Sequence, residues 1–473
     1  MMITLERSSD TPLTEQITHH IKQLIDNRAL RAGNAMPSIR NFSRSHNVSR
    51  FTTVQAYDKL VAAGYIHSRP GSGFYVTSRS PVSNNSEGGI KLDRAMDVLW
   101  LLRNALTPSA NHTKPKSIPG AGWLPLDWMD SGGIQKSLRN LAQKPARYLT
   151  EYGTPLGYLP LRQQLQQRLA EQQIKVSSEQ LLLTMGASHA LDLIARLFIR
   201  PGDTVFVDDP GYFILFGTLK SYGAKVVGVP WNHDGPDIEK LQLLINQHQP
   251  KLFFTNSILH NPTGASTSQA VAFRLLQMAE QAKILIVEDD VFGDFYPGKI
   301  SRLATLDQLQ NIIYISSFSK TISASMRVGF IAASTQIIQQ LTDVKLLSGI
   351  TTSEVNERMI FQMLNSGQYR KHLNRIHKKL QQCRQQALDN FDKLNMQAYL
   401  EPAGGMFLWM KIPQHVDIIE MSNQAAKQEI MLAPGNLFRP HQQPSQWMRF
   451  NAASSNEKSH LKFLQKFINA STR

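Results

Sequence analysis

After Pro119 the sequence repeats one pattern, in which a short apolar run is followed by a turn and an amphipathic helix. Such alternation is typical of parallel strands that are buried on both faces of a sheet. Four strands are predicted from the runs TVFVDDPGY, KLFFTN, KILIVEDD and NIIYISSFSK, and intervening helices from SHALDLIARLF and TSQAVAFRLLQMAEQA. In these sheets ligands bind at the carboxyl ends of the strands. We therefore expect a large α/β domain with a mostly parallel sheet and its chemistry at those ends.

The composition limits the compartment and the number of domains. With 473 residues, 42% of them hydrophobic, the chain is long enough for two or more domains. Its one cysteine, Cys383, excludes a disulfide framework and a cysteine-based zinc site, so we expect a cytoplasmic protein without a metal centre. No apolar run approaches the ~18 to 20 residues of a membrane span, and the N-terminus lacks the pattern of a signal peptide.

Three zones divide the chain. Residues 1–79 are compact and basic, and we interpret them as a DNA-binding domain. Residues 80–117 contain the linker-like stretches SPVSNNSEGG and TPSANHTKPKS, with a helix predicted at about 92–103 between them. Residues 118–473 form the α/β domain.

The first zone has helix-turn-helix spacing. One helix is predicted from LTEQITHHIKQLI. Two more are predicted within PSIRNFSRSHNVSRFTTVQAYDKLVAAGYI, with a turn at about residues 46–48 and Ser49 as the N-cap of the second. The following YIHSRPGSGFYVT predicts a hairpin or wing around Pro-Gly-Ser-Gly.

A helix-turn-helix places the start of its second helix in the major groove. Ser49, Arg50 and Thr52 are therefore candidate contacts to bases and phosphates, Arg40 is a candidate phosphate contact, and Gly71 is a candidate contact in the wing. Residues 1–79 carry 10 Lys and Arg against 5 Asp and Glu, which favours a polyanionic partner such as double-stranded DNA. A small dimerisation or peptide-binding module remains the alternative.

In the second half, Lys320 follows the strand NIIYISS. A lysine that is desolvated at a strand end has a lowered pKa and is suited to Schiff-base chemistry, most commonly with pyridoxal phosphate. Candidate partners for each part of that cofactor are present. For the phosphate, the candidate donors are Gly186, Ala187 and Ser188 at a helix start, together with Ser317, Ser319 and Arg327 near the lysine. For the ring, Asp289 is the candidate acid that faces the nitrogen, and Asn261 is the candidate donor to the oxygen. Tyr212 is the candidate aromatic side chain that stacks on the ring.

These segments resemble two known families. MPSIR, VSRFT, AYDKL and GSGFYV resemble the GntR family of winged-helix regulators, with Met36 where leucine is usual. Residues 118–467 resemble fold-type I aminotransferases through YGTPLGYLPLR, GASHAL, DDPGY, NPTG, EDD, SSFSK, GGMFLW, PGNLF and MRFN in that order. The second resemblance implies that Lys320 forms the internal aldimine, that Asp289 pairs with the pyridine nitrogen and that Arg449 binds a substrate α-carboxylate. It also implies that Tyr152 reaches the cofactor phosphate of a partner subunit.

One position departs from the aminotransferase pattern. The family usually has tyrosine three residues after the acid, where this chain has Phe292. Without that hydroxyl the lysine is less finely tuned, which weakens the prediction of efficient transamination but not of cofactor binding. Spacing alone leaves open whether Asp289 or Asp290 faces the ring nitrogen.

The order of the two resemblances is that of the MocR subfamily of regulators. It implies a transcription regulator whose large domain senses pyridoxal phosphate, or an amine or amino acid through an aldimine at Lys320, in a head-to-tail homodimer. Two alternatives stay open: an active aminotransferase with an accessory DNA-binding module, and a degenerate domain that serves only for dimerisation.

Overall fold

The computed structural model describes residues 5–7, 11–27, 29–30, 33–69, 72–77 and 117–471. These residues form two compact units, one on each side of residues 78–116. The predicted linker helix and Gly71 lie outside the described residues. The exact domain boundaries after residues 79 and 117 stay a prediction.

The N-terminal unit is a winged helix-turn-helix. Its elements are α1 (Leu13–Asp26), α2 (Ile39–His46), α3 (Arg50–Ala62), β1 (Ile66–Arg69) and β2 (Gly73–Val76). The side-chain oxygen of Ser49 accepts a hydrogen bond from the backbone N–H of Thr52, which confirms the predicted N-cap of α3. The turn before it passes through Asn47, which has a left-handed φ of 51°. Strands β1 and β2 pair in antiparallel as the predicted wing.

The core of this unit is formed by apolar side chains from all three helices and both strands. Ile17 and Ile21 of α1 pack with Phe42, Tyr57 and Leu60, all fully buried. The Tyr57 hydroxyl donates to the carbonyl of Pro37 at 2.9 Å and so ties α3 to the segment before α2. Helices α2 and α3 are thereby fixed to one another, which sets the orientation of the second helix.

The large unit alternates strands and helices. Its helices are α4 (Ser131–Ala142), α5 (Arg147–Thr150), α6 (Leu159–Glu171), α7 (Ala187–Phe198), α8 (Phe213–Ser221), α9 (Ile238–His248), α10 (Gln269–Ala282), α11 (Leu303–Asp307), α12 (Thr335–Gly349), α13 (Glu354–Asn365), α14 (Gln368–Asp392), α15 (Ile418–Lys427) and α16 (Lys458–Ala470). Its strands are β3 (Leu181–Thr184), β4 (Thr204–Asp209), β5 (Lys225–Asn232), β6 (Gly235–Pro236), β7 (Leu252–Thr255), β8 (Leu285–Asp289), β9 (Ile312–Ser317), β10 (Gly329–Ala332), β11 (Gln397–Ala398), β12 (Phe407–Lys411), β13 (Ala433–Pro434) and β14 (Trp447–Asn451).

Eight strands form the main sheet in the order β3-β10-β9-β8-β7-β4-β5-β6. The five strands from β9 to β5 are parallel, while β3, β10 and β6 pair in antiparallel. Adjacent residues of β8 point to opposite faces, so that Ile286 and Val287 enter two different hydrophobic clusters. The predicted mostly parallel sheet, buried on both faces, is confirmed.

A smaller sheet in the order β11-β12-β14-β13 carries Arg449 on β14. Arg449 lies between Trp409 of β12 and Ala433 of β13 in the register. The first described residues of the large unit lie beside the segment that precedes β13, because Ser117 forms a parallel bridge to Ile430.

Among the described helices, none has both the length and the apolar composition that a bilayer crossing requires.

Candidate functional site

The carboxyl ends of four neighbouring parallel strands carry the predicted site residues. Lys320 follows β9, Asp289 ends β8, Asn261 follows β7 and Tyr212 follows β4. The carboxyl group of Asp289 is close enough to Lys320 and Tyr212 to shift the pKa of both side chains. The sheet therefore brings these four residues together at one edge, as the strand pattern predicted.

Lys320 is held against the backbone of the segment that opens the large unit. Its Nζ donates a hydrogen bond to the carbonyl oxygen of Gly122 at 2.6 Å. Burial and the nearby Arg449 cation lower the pKa of the Lys320 ammonium group to about 8, although the Asp289 carboxyl opposes them. Near neutral pH a much larger fraction of this amine than of a surface lysine is therefore unprotonated and nucleophilic.

This lowered pKa predicts a pH dependence for the reaction of Lys320 with aldehydes. Only the free amine attacks, so the rate should rise with pH in proportion to the unprotonated fraction and level off above about pH 8. A surface lysine would instead level off near its ordinary pKa of about 10.4. Stopped-flow absorbance with pyridoxal phosphate measures the profile, and a rate still rising steeply between about pH 9 and 10 contradicts the prediction.

The adjacent aspartates face different partners. Asp290 accepts hydrogen bonds from Nε of Arg302 at 2.6 Å and from the Tyr314 hydroxyl at 2.5 Å, so its carboxylate is engaged by structural groups. Asp289 instead lies on the side of Lys320, and burial raises the pKa of its carboxyl group to about 7. This arrangement favours Asp289 as the functional acid, with Asp290 holding the end of β8.

A cradle of donors surrounds the start of α7. The Arg327 guanidinium donates to Oγ of Ser319 at 3.2 Å and to the carbonyl of Met185 at 3.1 Å. A Cβ on Gly186 would lie 2.9 Å from Nη2 of Arg327, and the φ of 78° at Gly186 is left-handed, so this position favours glycine. Ala187 and Ser188 begin α7, where backbone N–H groups lack intrahelical partners. The cradle has the donors and the close backbone approach that a phosphate group needs.

Two of the predicted phosphate and ring contacts have additional partners. The hydroxyl of Ser317 donates to the carbonyl of Val328 and accepts from the backbone N–H of Ser319 at 3.1 Å, so it orients the cradle from within the protein. The Tyr212 hydroxyl lies beside Ser188, and burial raises the pKa of this hydroxyl to about 12. Tyr212 therefore stays protonated at the edge of the site.

Arg449 is buried between two aromatic rings. Its guanidinium carbon lies 4.5 Å from the ring centre of Phe407 and 4.8 Å from that of Phe438. Nη1 donates to Oδ1 of Asn261 at 2.8 Å and Nη2 to the carbonyl of Gly120 at 2.7 Å, whereas Nε has no hydrogen-bond partner in the described part of the chain. Burial lowers the pKa of this guanidinium to about 9. A buried cation with an unused donor is suited to a carboxylate ligand.

Phe292 occupies an apolar position. It is buried, and its ring packs edge-on against Phe407 with 5.0 Å between centroids. The position where aminotransferases usually have a tyrosine hydroxyl is thus part of an apolar wall in this chain. Asn261 has its Oδ1 engaged by Arg449, which leaves its amide nitrogen as the donor for a ring oxygen.

Asn256 connects the site residues to one another, although no motif in the sequence singled it out. Its side-chain nitrogen donates to the carbonyl of Asp289 at 2.7 Å, and its Oδ1 accepts from the backbone N–H of Asn261 at 2.7 Å. Its backbone N–H donates to Asp208 at 2.8 Å. The position directly after β7 was the only indication in the sequence that Asn256 has such a role.

Tyr152 does not join the other candidates within one chain. It lies between α5 and α6, and its side chain is 81% exposed. A contact to the site of a partner subunit, as the aminotransferase resemblance implies, stays a prediction.

In the N-terminal unit the described candidate DNA contacts lie in α2, for Arg40, and at the start of α3, for Ser49, Arg50 and Thr52. Arg40 and Arg50 are exposed, and the hydroxyls of Ser49 and Thr52 are hydrogen-bonded to each other at 2.7 Å. Thr53 instead turns inward, where its hydroxyl bonds to that of Ser43 at 2.9 Å. The arginines are thus the charged groups that this surface presents.

Two family models match the chain. Residues 133–467 match the family described as aminotransferase class I and II, and residues 13–76 match the bacterial regulatory proteins of the gntR family. Among solved structures, the α-aminoadipate aminotransferase LysN of Thermus thermophilus has a TM-score of 0.70 at 24% identity, covering 79% of this chain and 95% of that one. The kynurenine aminotransferase of Pyrococcus horikoshii has a TM-score of 0.72 at 24% identity, covering 81% and 95%. The large unit therefore has the aminotransferase fold.

Three relatives align with most of this chain. HTH-type transcriptional regulator YdfD of Bacillus subtilis is 27% identical over 97% of this chain and 95% of its own length. YdcR of Escherichia coli is 27% identical over 96% and 98%, and NorG of Staphylococcus aureus is 27% identical over 85% and 92%. All three are named as HTH-type transcriptional regulators.

Proposed function

The chain belongs to the aminotransferase class I and II family, and from that premise we propose that it is a cytoplasmic, DNA-binding transcription regulator that senses a ligand through this domain. The two family matches confirm the predicted order of a GntR-type unit and an aminotransferase-type unit, which is the arrangement of the MocR subfamily. The names of the full-length relatives support regulation over catalysis alone.

The residues of the large unit fit pyridoxal phosphate. The absence of a side chain at Gly186 lets the Arg327 guanidinium and the Ser319 hydroxyl approach the start of α7, and these donors suit a phosphate group. Asp289 would pair with the ring nitrogen, Asn261 would donate to the ring oxygen and Tyr212 would lie beside the ring. When bound, this cofactor supplies an aldehyde that condenses with primary amines. Lys320 presents such an amine, and burial has already lowered its pKa.

Arg449 makes an amino acid a better candidate effector than a simple amine. Within the described residues the Nε of this guanidinium has no hydrogen-bond partner, and the group is flanked by the amide of Asn261 and two aromatic rings. A carboxylate can accept two parallel hydrogen bonds from such a group. We therefore propose that the effector carries an amine and a carboxylate on the same carbon.

The observation that carries the regulatory proposal concerns residues 118–124, here called the proximal segment because they directly follow the predicted linker. Lys320 donates to its Gly122 carbonyl at 2.6 Å, and Arg449 donates to its Gly120 carbonyl at 2.7 Å. The two residues that would bind the cofactor and the carboxylate thus hold the backbone through which the large unit continues into the linker.

Ligands would compete for these donors. An aldehyde that takes the amine of Lys320, or a carboxylate that takes Arg449, withdraws a hydrogen bond from the proximal segment. The side-chain amide of Asn451 donates to the carbonyls of Ala121 and Trp123 at 3.1 and 2.7 Å, independently of any ligand. Backbone bonds from the Asn451 N–H to the Pro119 carbonyl and from the Gly120 N–H to the Met431 carbonyl are independent of a ligand as well. The segment therefore has several fixed anchors and two ligand-sensitive ones, and the difference in interaction between the two states is what coupling requires.

Hydrogen–deuterium exchange tests this coupling. With pyridoxal phosphate and an amino acid present, we expect faster exchange at the amides of residues 120–123. The reason is that the carbonyls of Gly120 and Gly122 lose the hydrogen bonds from Arg449 and Lys320, so this backbone opens more often. The amides of β12, inside the same small sheet, serve as the control and should not change. An Asn451→Ala variant should exchange faster in the proximal segment even without ligand. Unchanged exchange with the ligand demonstrably bound contradicts the proposal.

We also propose a homodimer of the head-to-tail kind, with sites completed across the interface. Large apolar side chains that a monomer would leave in water support it, among them Leu347 at 91% exposure and Tyr152 at 81%. Leu126, Met185 and Ile350 are exposed as well. Met185 immediately precedes the phosphate cradle, which supports an interface close to the site.

An active aminotransferase is the second candidate, and the buried Arg449 beside Lys320 is the observation in its favour. Turnover near the ~10 s⁻¹ that is typical of enzymes would support it. We expect slow turnover because Phe292 lies in an apolar wall and presents no hydroxyl to the ring oxygen.

A further inference from the structure

Phe51, the second residue of α3, has an unusual exposure for a phenyl ring. Its side chain is 70% exposed, whereas Val61 near the other end of the same helix is 38% exposed. Three other apolar side chains of α3, those of Ala56, Tyr57 and Leu60, are fully buried in the core. Phe51 therefore does not contribute to holding the three helices together.

Phe51 projects from the first turn of α3, whereas its polar neighbours are engaged in hydrogen bonds. Ser49 and Thr52 bond to each other, and Thr53 bonds inward to Ser43. Arg50 and Phe51 are the exposed side chains between them. The start of α3 thus exposes a cation and a phenyl ring at adjacent positions.

The charges on the two helices of the helix-turn-helix indicate what covers Phe51. Arg40 and Arg44 of α2 are exposed, as is Arg50 of α3. Two helices that present arginines and one apolar group fit the major groove, where phosphates line both edges and the thymine 5-methyl is the apolar group on the base edges. An apolar protein partner or a second hydrophobic surface would not be matched by these three arginines.

We infer that Phe51 packs on a thymine 5-methyl group and thereby selects thymine at one position of each operator half-site. The inference rests on the proposed DNA binding and adds to it a residue that determines base preference. Arg50 and Arg40 supply affinity through phosphates or base edges, and Phe51 supplies a contact that no charge can provide.

Replacing thymine by uracil tests the inference, because this change removes only the methyl group. The probe is a duplex that the wild-type full-length chain selects from random-sequence DNA, compared with the same duplex carrying deoxyuridine one position at a time. For the wild type, binding should weaken about fourfold at one position per half-site, since burying one methyl group contributes about 0.8 kcal/mol. Phe51→Ala should bind both duplexes equally, and Phe51→Leu, which keeps an apolar group, should retain part of the preference.

The experiment includes a control variant, and its possible negative outcomes distinguish failure of the inference from failure of the proposed DNA binding. Phe273 of α10 is 67% exposed in the other unit, so Phe273→Ala is a matched change that should keep the wild-type preference. A Phe51→Ala variant with the same thymine preference as the wild type, or a wild type without any, overturns the inference. If the wild type binds no duplex in a salt-dependent manner, the proposed DNA binding fails instead.

Discussion

The Lys320→Ala variant should form no covalent bond with pyridoxal phosphate, and its visible absorbance band should be absent. Lys320 is the amine that the sheet edge places beside Asp289 and the phosphate cradle. Alanine removes the nucleophile and leaves the donors of the cradle in place, so weak non-covalent binding should persist. The measurement is an absorbance spectrum before and after borohydride reduction, followed by mass spectrometry of the peptides.

A second buried lysine provides the matched control within the same chain. Burial lowers the pKa of Lys345 to about 8, as it does for Lys320. The Nζ of Lys345, however, donates to the carbonyls of Pro155 and Leu183 and to the Thr352 hydroxyl, at 2.8, 2.9 and 3.1 Å. All three of its protons are engaged, so reduction should label Lys320 and leave Lys345 unmodified. The assigned site is contradicted if reduction attaches pyridoxal phosphate to Lys345. It is also contradicted if the Lys320→Ala variant is labelled to the same extent as the wild type.

The second large effect is expected at Arg449. In the cofactor-loaded protein, Arg449→Ala should weaken the binding of an amino acid by at least about 30-fold, because losing one partner of a buried charge pair costs about 2 kcal/mol or more. The amine that corresponds to the same amino acid without its carboxylate should lose much less affinity. Titration of both ligands against both proteins forms a double-mutant cycle.

The cycle separates recognition from damage to the fold. Removing the guanidinium also leaves Oδ1 of Asn261 and the carbonyl of Gly120 without a donor, which affects both ligands equally. Only the loss of a carboxylate contact changes the ratio of the two affinities. An equal loss for the amine and the amino acid means that Arg449 supports the structure and does not bind the effector carboxylate.

Much of the site was predictable because a parallel sheet gathers its strand ends at one edge. Lys320, Asp289, Asn261 and Tyr212 are up to 108 positions apart in the chain, yet each lies at or shortly after the end of a predicted strand. The helix-turn-helix was similarly predictable, since its apolar spacing and the N-cap at Ser49 are local features.

The choice between Asp289 and Asp290 was not predictable from spacing. Neighbouring residues at a strand end point to opposite faces, so one aspartate must face the site and the other must not. The partners that decide it, Arg302 and Tyr314, come from other elements of the fold.

The hydrogen bonds from Lys320 and Arg449 to the proximal segment could not be predicted from the sequence. Both bonds end on backbone carbonyls, which every residue type carries. The same holds for Asn256, whose partners include the carbonyl of Asp289 and the N–H of Asn261. Only the folded chain brings these groups together.

The most direct test of the account is the operator affinity of the full-length protein with and without its ligands, at one fixed salt concentration. Pyridoxal phosphate with an amino acid should change the Kd of the wild type by at least about fivefold, the lower end of ordinary coupling between sites. The Lys320→Ala variant should bind the same operator and lose that response. Equal operator affinity of the wild type under every ligand condition would contradict the central claim that the site at Lys320 regulates DNA binding.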